Sequence, residues 1–294
     1  MLNMSTRAKS WTILITMALI WGSSFILIKR GLLVFSPGEL GALRITMAFL
    51  SLMPVALKHL RTIDRSKLPV LFVLGFAGSL LPSFLFAIAE TQLDSSLTGV
   101  LNALTPIFVI LISLIFFHQK IKFLNALGIL VGFSGTIFML LGGSGFDLSN
   151  FNYYAFYVVA ATVFYGINVN LIKEYLPDLK ALQITAVSLF LTSPFCIGYL
   201  LFFTDFLDKI GVVDGFWLAF FYVSLLGVFG TAIALVLFNK LIQISTMIFA
   251  SSVTYLIPIV AIGWGLVDNE VLNIYQYIGI SIVLGGVYLA NKKS

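Results

Sequence analysis

A nine-residue pattern that predicts the architecture occurs twice in the sequence. Residues 21–29 read WGSSFILIK, and residues 165–173 read YGINVNLIK, at an offset of 144 residues. Each copy places an aromatic residue and a glycine before an apolar run that ends in lysine. A pattern that recurs at a fixed, large spacing indicates that a chain is built from repeated structural units. We therefore expect the chain to consist of two related units.

Further matches follow in the same order along the two halves, and they are mostly glycines and prolines. They are LGFAG at 74–78 with LGVFG at 226–230, Pro106 with Pro258, Gly128 with Gly279, and Gly135 with Gly286. Their offsets of 151 or 152 residues differ from 144 by amounts that loop insertions explain. The repeat predicts a first unit at residues 1–145 and a second unit at residues 146–294.

The composition places both units in a membrane. Of the 294 residues, 60% are hydrophobic and 10% are charged, whereas an ordinary soluble domain has about 45–50% and about 25%. A membrane-spanning helix needs about 20 apolar residues. Reading from charge to charge gives ten such runs, at residues 11–28, 38–57, 68–89, 96–117, 123–142, 151–172, 181–203, 216–238, 246–266 and 273–290. The predicted fold class is therefore all-α integral membrane, with ten transmembrane helices.

The basic residues orient these runs. If the N-terminus is cytoplasmic, 13 of the 17 lysines and arginines fall on the cytoplasmic side and three fall outside. Lysine and arginine are enriched in cytoplasmic loops, so we expect a multi-pass protein of the plasma (inner) membrane with both termini in the cytoplasm. The same clustering in short loops explains the net charge of +5 without a nucleic-acid partner.

Five helices per unit is an odd number, so the two units enter the membrane from opposite sides. Inverted repeats of this kind allow secondary transporters to present one midplane site alternately to each side. Glycine and proline interruptions at equivalent places in the two units mark the expected site, because they expose backbone groups to a cavity. These helix-break or gating positions are Gly22, Pro106, Gly166 and Pro258.

Polar and aromatic side chains form helical stripes beside these positions. The predicted substrate-binding residues are Trp21, Ser24, Thr98, Asn102, Tyr165, Asn168, Thr254 and Tyr255. Thr105 continues the stripe of Thr98 and Asn102. The alternative interpretation is that these side chains only bond or pack between helices, as polar and aromatic residues of membrane proteins commonly do.

Arg44 is the one charge well inside a predicted span, and a charge at the membrane centre costs at least about 2.5 kcal/mol. Three interpretations stay open. Arg44 reaches outward to the membrane surface, it has a structural role by pairing with Glu39 or Glu90, or it contacts an anionic substrate. The sequence has no metal-ligand spacing and no glycine-rich phosphate loop. We therefore expect no metal, no cofactor and no direct use of ATP.

Several of these segments also occur together in one known family. They are LIWGSSF at 19–25, the span 39–49 containing Arg44, Thr105-Pro106, and the paired endings at 119–135 and 270–286. In these features the whole chain resembles the EamA-type transporters of the drug/metabolite transporter superfamily. The resemblance implies ten helices in two inverted repeats, cytoplasmic termini and movement of small metabolites. One departure is His118-Gln119, where the family usually has Gly-Glu, whereas Asn269-Glu270 retains the acid.

The predicted function is secondary transport of small metabolites by alternating access. The resemblance implies export of amino acids or related amphipathic compounds. The alternative is an intramembrane enzyme acting on lipid-linked substrates, which would need a nucleophile, a base or metal ligands near the bilayer surface. His59, His118 and the single cysteine, Cys196, do not form such a set, so no enzyme is predicted. The expected partners are a small-molecule substrate and the lipid bilayer, and the sequence predicts no oligomeric state.

Overall fold

The computed structural model describes residues 4–117, 123–141, 152–245, 250 and 253–291. Over these residues the chain forms helices and no strand. The ten main helices are α1 (Met4–Gly31), α2 (Pro37–Leu60), α3 (Arg65–Ala89), α4 (Ser95–Phe117), α5 (Phe123–Leu141), α6 (Ala155–Tyr175), α7 (Ala181–Phe202), α8 (Phe216–Ile244), α9 (Val253–Val267) and α10 (Ile274–Asn291). A short helix, Phe206–Lys209, precedes α8. In this part of the chain, α1–α8 are long and apolar enough to cross a membrane, and α9 and α10 are shorter apolar helices. The predicted all-helical membrane fold is confirmed.

The helix ends differ from the predicted spans because helices continue past the first charged residue. α1 includes Lys29 and Arg30 in its last turn, and α8 continues from the predicted end at Phe238 to Ile244. Basic residues are favourable beside the unsatisfied carbonyls at a helix C-terminus. The predicted boundaries at 142, 151 and 246, and the division between residues 145 and 146, lie outside the described residues.

Equivalent helices of the two units make equivalent contacts. α1 packs against α9, and α6 packs against α4. Gly22 of α1 lies against Val260 of α9, and Gly166 of α6 lies against Phe108 of α4. Each of these glycines is the first glycine of its repeat motif, and a side chain there would overlap the facing helix. The repeated glycine therefore lets helices of opposite units approach closely.

The matched LGxxG motifs distort their helices in the same way. Residues 76–80 of α3 and residues 226–233 of α8 form π-helical turns. Gly75 lies against the backbone oxygen of Ser188 in α7, and Gly227 lies against the backbone oxygen of Arg44 in α2. Because π-turns are frequent at functional sites, their occurrence in equivalent helices directs attention to the space between the units.

Candidate functional site

A cavity of about 90 Å³ lies between the two units. A single water needs about 10–15 Å³ by this measure, so the space admits a small molecule rather than isolated waters. Its wall is formed by α1, α2, α3 and α4 of the first unit and by α6, α8 and α9 of the second.

Most of the predicted substrate-binding residues lie on this wall. They are Trp21, Ser24, Asn102, Tyr165, Asn168 and Thr254, joined by Thr105. The first six are three pairs of equivalent repeat positions: Trp21 with Tyr165, Ser24 with Asn168, and Asn102 with Thr254. The cavity therefore lies where equivalent residues of the two units face one another.

Thr98 and Tyr255, in contrast, do not line the cavity. The Thr98 hydroxyl donates to the Asp94 carbonyl at 3.1 Å, and the Thr98 side chain is buried. The Tyr255 hydroxyl donates to the Val287 carbonyl of α10 at 2.7 Å. Helical spacing predicts both residues at the site, but each hydroxyl donates to a backbone carbonyl instead.

The predicted helix-break positions border the site without lining it. Gly22 and Gly166 form the close helix contacts described above. Pro106 and Pro258 are buried in α4 and α9. Proline has no N–H to donate to the carbonyl four residues earlier, and the Thr105 hydroxyl donates to that carbonyl, on Asn102, at 2.8 Å. The proline thereby places Asn102 in a 3₁₀ turn on the cavity wall.

The aromatic part of the wall is fixed by contacts between the units. The Trp21 Nε1 donates to the Gly230 carbonyl at 3.0 Å, and its ring meets Phe238 edge-on with centroids 5.2 Å apart. Phe86 stacks on Tyr165 with centroids 6.0 Å apart. Sequence reasoning missed Phe86 and Phe238 because phenylalanine is abundant throughout the chain.

The LGxxG repeat was a signal for two further wall residues, Gly78 and Gly230. A Cβ at Gly78 would overlap the Asn168 side-chain amide, and a Cβ at Gly230 would overlap the Ser24 hydroxyl. These two contacts are again equivalent in the repeat, since Ser24 and Asn168 are a matched pair. Because these glycines have no side chain, they leave the space that the Ser24 and Asn168 side chains occupy.

Arg44 lies on the cavity wall and is only 8% exposed. Its Nε donates to the Thr231 hydroxyl at 2.7 Å. Among the described residues it forms no ion pair, so neither suggested pairing is present. Glu39 accepts from Lys209 Nζ at 2.6 Å and from the Ser36 N–H at 2.7 Å, and thereby caps α2. The position of Arg44 also excludes the outward-reaching conformation.

Glu90 follows the end of α3 and is buried. Neither of its carboxylate oxygens has a hydrogen-bond partner in the described part of the chain. Burial raises the pKa of the Glu90 carboxyl well above its ordinary value. Burial therefore disfavours the charged form of Glu90, which weakens it as a counter-charge for Arg44.

The helix ends near Glu270 are joined by a dense set of hydrogen bonds. We call this end of the bundle, which the charge count predicts to face outside, the outer end, and the opposite end the inner end. One Glu270 oxygen accepts from the Ser95 N–H and hydroxyl at 3.0 and 2.7 Å, and the other from the Ser96 N–H and hydroxyl at 3.0 and 2.6 Å. The carboxylate thus satisfies free N–H groups at the start of α4.

Two cations of α1 complete this outer cluster. Lys29 Nζ lies 2.8 Å from a Glu270 oxygen and 2.6 Å from an Asp268 oxygen, and Arg30 also pairs with Asp268. Burial alone would raise the pKa of Glu270, but hydrogen bonds from Lys29, Ser96 and Ser95 lower it to about 2. The cluster therefore holds α1 and α4 of the first unit to the α9–α10 loop of the second.

The cavity lies directly beneath this outer cluster. Ile28, which lines the cavity, precedes Lys29 in α1. In the other direction the wall continues to Ile242, near the inner end of α8, and to Val253, at the inner end of α9. The charged cluster thus covers the outer side of a cavity whose wall extends to the inner end.

Comparison with known proteins gives a consistent result along the chain. A family model, the EamA-like transporter family, matches residues 9–141 and 152–292. An uncharacterized transporter of Archaeoglobus fulgidus is 24% identical over 286 residues, which cover 97% of this chain and 99% of the relative. A probable terminal-alkyne amino-acid exporter of Streptantibioticus cattleyicolor is 22% identical over 97% of this chain and 93% of its own length.

A solved protein crystal structure that is 17% identical superposes with a TM-score of 0.64 and covers 96% of both chains, which supports the fold alone. The family and the names of the relatives indicate a transporter rather than an enzyme. Its substrate is accordingly a small molecule, and its surroundings are the lipid bilayer. Since the family model matches both halves, this multi-pass membrane protein belongs to the EamA-like transporter family.

Proposed function

We propose that the protein is a secondary transporter that exports amino acids or related small amphipathic metabolites by alternating access. The observation that carries the proposal is the cavity walled by equivalent residues of two inverted units. In such a design each unit can supply one gate to a shared site. The name of the Streptantibioticus cattleyicolor relative, an amino-acid exporter, supports the substrate class and the direction.

In this mechanism the cavity loads from the inner end while the outer cluster is closed. Release outside then requires Glu270 to separate from Lys29, Ser95 and Ser96. In the repeat, Lys29 corresponds to Lys173, but Glu270 corresponds to Gln119. The inner end therefore has no acid at the position equivalent to Glu270, so the charge interactions favour outer closure in the absence of substrate.

The composition of the wall supports a small, partly apolar substrate. Trp21, Phe86 and Tyr165 offer flat apolar faces. The side-chain amides of Asn102 and Asn168 each offer donors and an acceptor. Ligand sites combine such apolar surfaces with a few oriented polar groups. Amino acids and related metabolites have the matching distribution of polar and apolar atoms.

The test is flux of labelled amino acids and related metabolites into and out of liposomes that contain the purified protein. Ser24→Leu should fill the cavity and reduce flux at least tenfold. Ser281→Leu is the matched control, because both serine hydroxyls bond one turn back along a helix, but Ser281 is exposed on α10. Absence of flux above empty vesicles for every member of a broad panel would refute the proposal. Equal effects of the two substitutions would refute the assignment of the cavity.

A further inference from the structure

Arg44 is the one charged side chain among the described residues that line the cavity. It lies about two turns inside α2 and is buried except for 8% of its surface. Its Nε donates to Thr231 Oγ1, which fixes the guanidinium against α8. The structure gives no further side-chain hydrogen bond to Arg44 in the part of the chain it describes. Since a guanidinium has five N–H donors, most of its donor capacity faces the cavity unused.

No acidic side chain compensates this charge by direct contact. Glu39 is occupied by Lys209 and Ser36, and Glu90 forms no ion pair with Arg44 within the described ranges. The residue equivalent to Arg44 in the second unit is Ser188, at the repeat offset of 144, so the repeat supplies no counter-charge either. A buried charge without a partner is costly and marks a candidate functional site in a membrane protein.

We propose that Arg44 binds the carboxylate of the transported molecule, and that the substrates are small carboxylic acids, amino acids included. The proposal rests on the proposed transport function and specifies its substrate class. A guanidinium presents a planar pair of donors that matches a carboxylate. One cation also matches a single negative charge, whereas a phosphate monoester, with nearly two charges, would leave the excess charge buried. Trp21, Phe86 and Phe238 provide the surface for the apolar part of the substrate.

The proposal is tested by pairs of probes that differ only in the carboxylate. Binding of 3-phenylpropanoate and 3-phenylpropanamide, and of L-phenylalanine and L-phenylalaninamide, is measured on the purified full-length protein. For the wild type we expect each acid to bind at least about tenfold more tightly than its amide, as for a charge-assisted hydrogen bond. Arg44→Gln should abolish this preference, and Arg44→Lys should keep part of it, because lysine retains the charge without the planar fork.

Two further variants keep the result interpretable. Arg65→Gln removes an exposed cation outside the cavity and should leave the preference unchanged. Thr231→Val removes the partner of Arg44 Nε and should reduce the preference a few-fold, which keeps the test valid if Arg44→Gln does not fold. Equal binding of acid and amide by the wild type, or a preference that survives Arg44→Gln, would overturn the proposal. Tighter binding of phenyl phosphate than of the carboxylates would overturn it in favour of a phosphate site.

Flux measurements separate this proposal from the transport function. If the amides are transported as fast as the acids, transport stands and the role of Arg44 is refuted. If the acids bind in an Arg44-dependent manner but no probe crosses the membrane, the carboxylate site stands and the transport function is refuted.

Discussion

Replacement of Glu270 by glutamine should shift the protein towards a state in which the outer end is open. The substitution keeps the size of the side chain but removes its negative charge. The Ser95 and Ser96 donors would then lose the carboxylate that accepts from them, and Lys29 would keep only Asp268 as its partner. In a state with the outer end open, Glu270 would lie in water and these interactions would be absent, so the substitution weakens only the closed state.

The size of the effect follows from the pKa of Glu270. Its value of about 2 in the closed state compares with an ordinary 4.5. The difference corresponds to an upper bound of about 3 kcal/mol. Because Lys29 is partly exposed and keeps its contact with Asp268, we take about 2 kcal/mol after allowing for solvent screening. This corresponds to roughly a 30-fold change in the equilibrium between closed and open outer ends.

Accessibility of a single cysteine measures this equilibrium. The native Cys196 is 1% exposed and can be replaced by serine, and Ser24→Cys then places a thiol on the cavity wall. A membrane-impermeant maleimide added at the outer side should label Glu270→Gln at least tenfold faster than the parent. Asp178→Asn is the control, because it also removes the acid of a lysine–carboxylate pair, at the inner end, where Asp178 is exposed. An unchanged labelling rate in folded Glu270→Gln would refute the role of the cluster as an outer gate, as would an equal increase in Asp178→Asn.

Three further predictions concern stability. Gly128→Ala should lower the melting temperature by a loss of about 1–3 kcal/mol, because the new Cβ overlaps the Ala290 backbone, whereas Gly285→Ala, which has open space, should not. Because the pKa of Glu270 is lowered, the stabilisation by its carboxylate is complete above about pH 4.5 and is lost as the pH falls towards about 2. The difference in melting temperature between wild type and Glu270→Gln should therefore shrink below pH 4.5. Trp21→Phe removes the 3.0 Å hydrogen bond to the Gly230 carbonyl and should cost about 1 kcal/mol in thermal unfolding.

The architecture could be predicted because its signals are local and repeated. Apolar runs bounded by charges predict membrane helices wherever they occur, since a bare backbone has no hydrogen-bond partner in the hydrocarbon. The matched glycines of the two repeat motifs predicted where helices of the two units meet, because only glycine allows the close helix contacts found at Gly22 and Gly166. The predicted helix ends were less accurate, because a charged residue does not end a helix when it stabilises the last turn.

The composition of the site was only partly predictable. Helical spacing placed Thr98 on the same stripe as Asn102, but spacing does not distinguish a hydroxyl that faces a cavity from one that bonds its own backbone. The partners of Arg44 were likewise unpredictable, because Thr231 is 187 residues away along the chain. The same holds for Glu270, whose partners lie on two helices of the other unit.

The helical membrane fold, the two-unit repeat and several of the polar and aromatic residues that line the cavity can be inferred from the sequence, because these depend on periodicity, composition and internal matching. Helix packing, by contrast, is needed to show that Arg44 lies on the cavity wall without an acidic partner among the described residues, and that Glu270 joins the two units at the outer end. Ion pairing depends on distances between helices that are far apart in the chain, and the direction of a side chain depends on the packing of every helix around it.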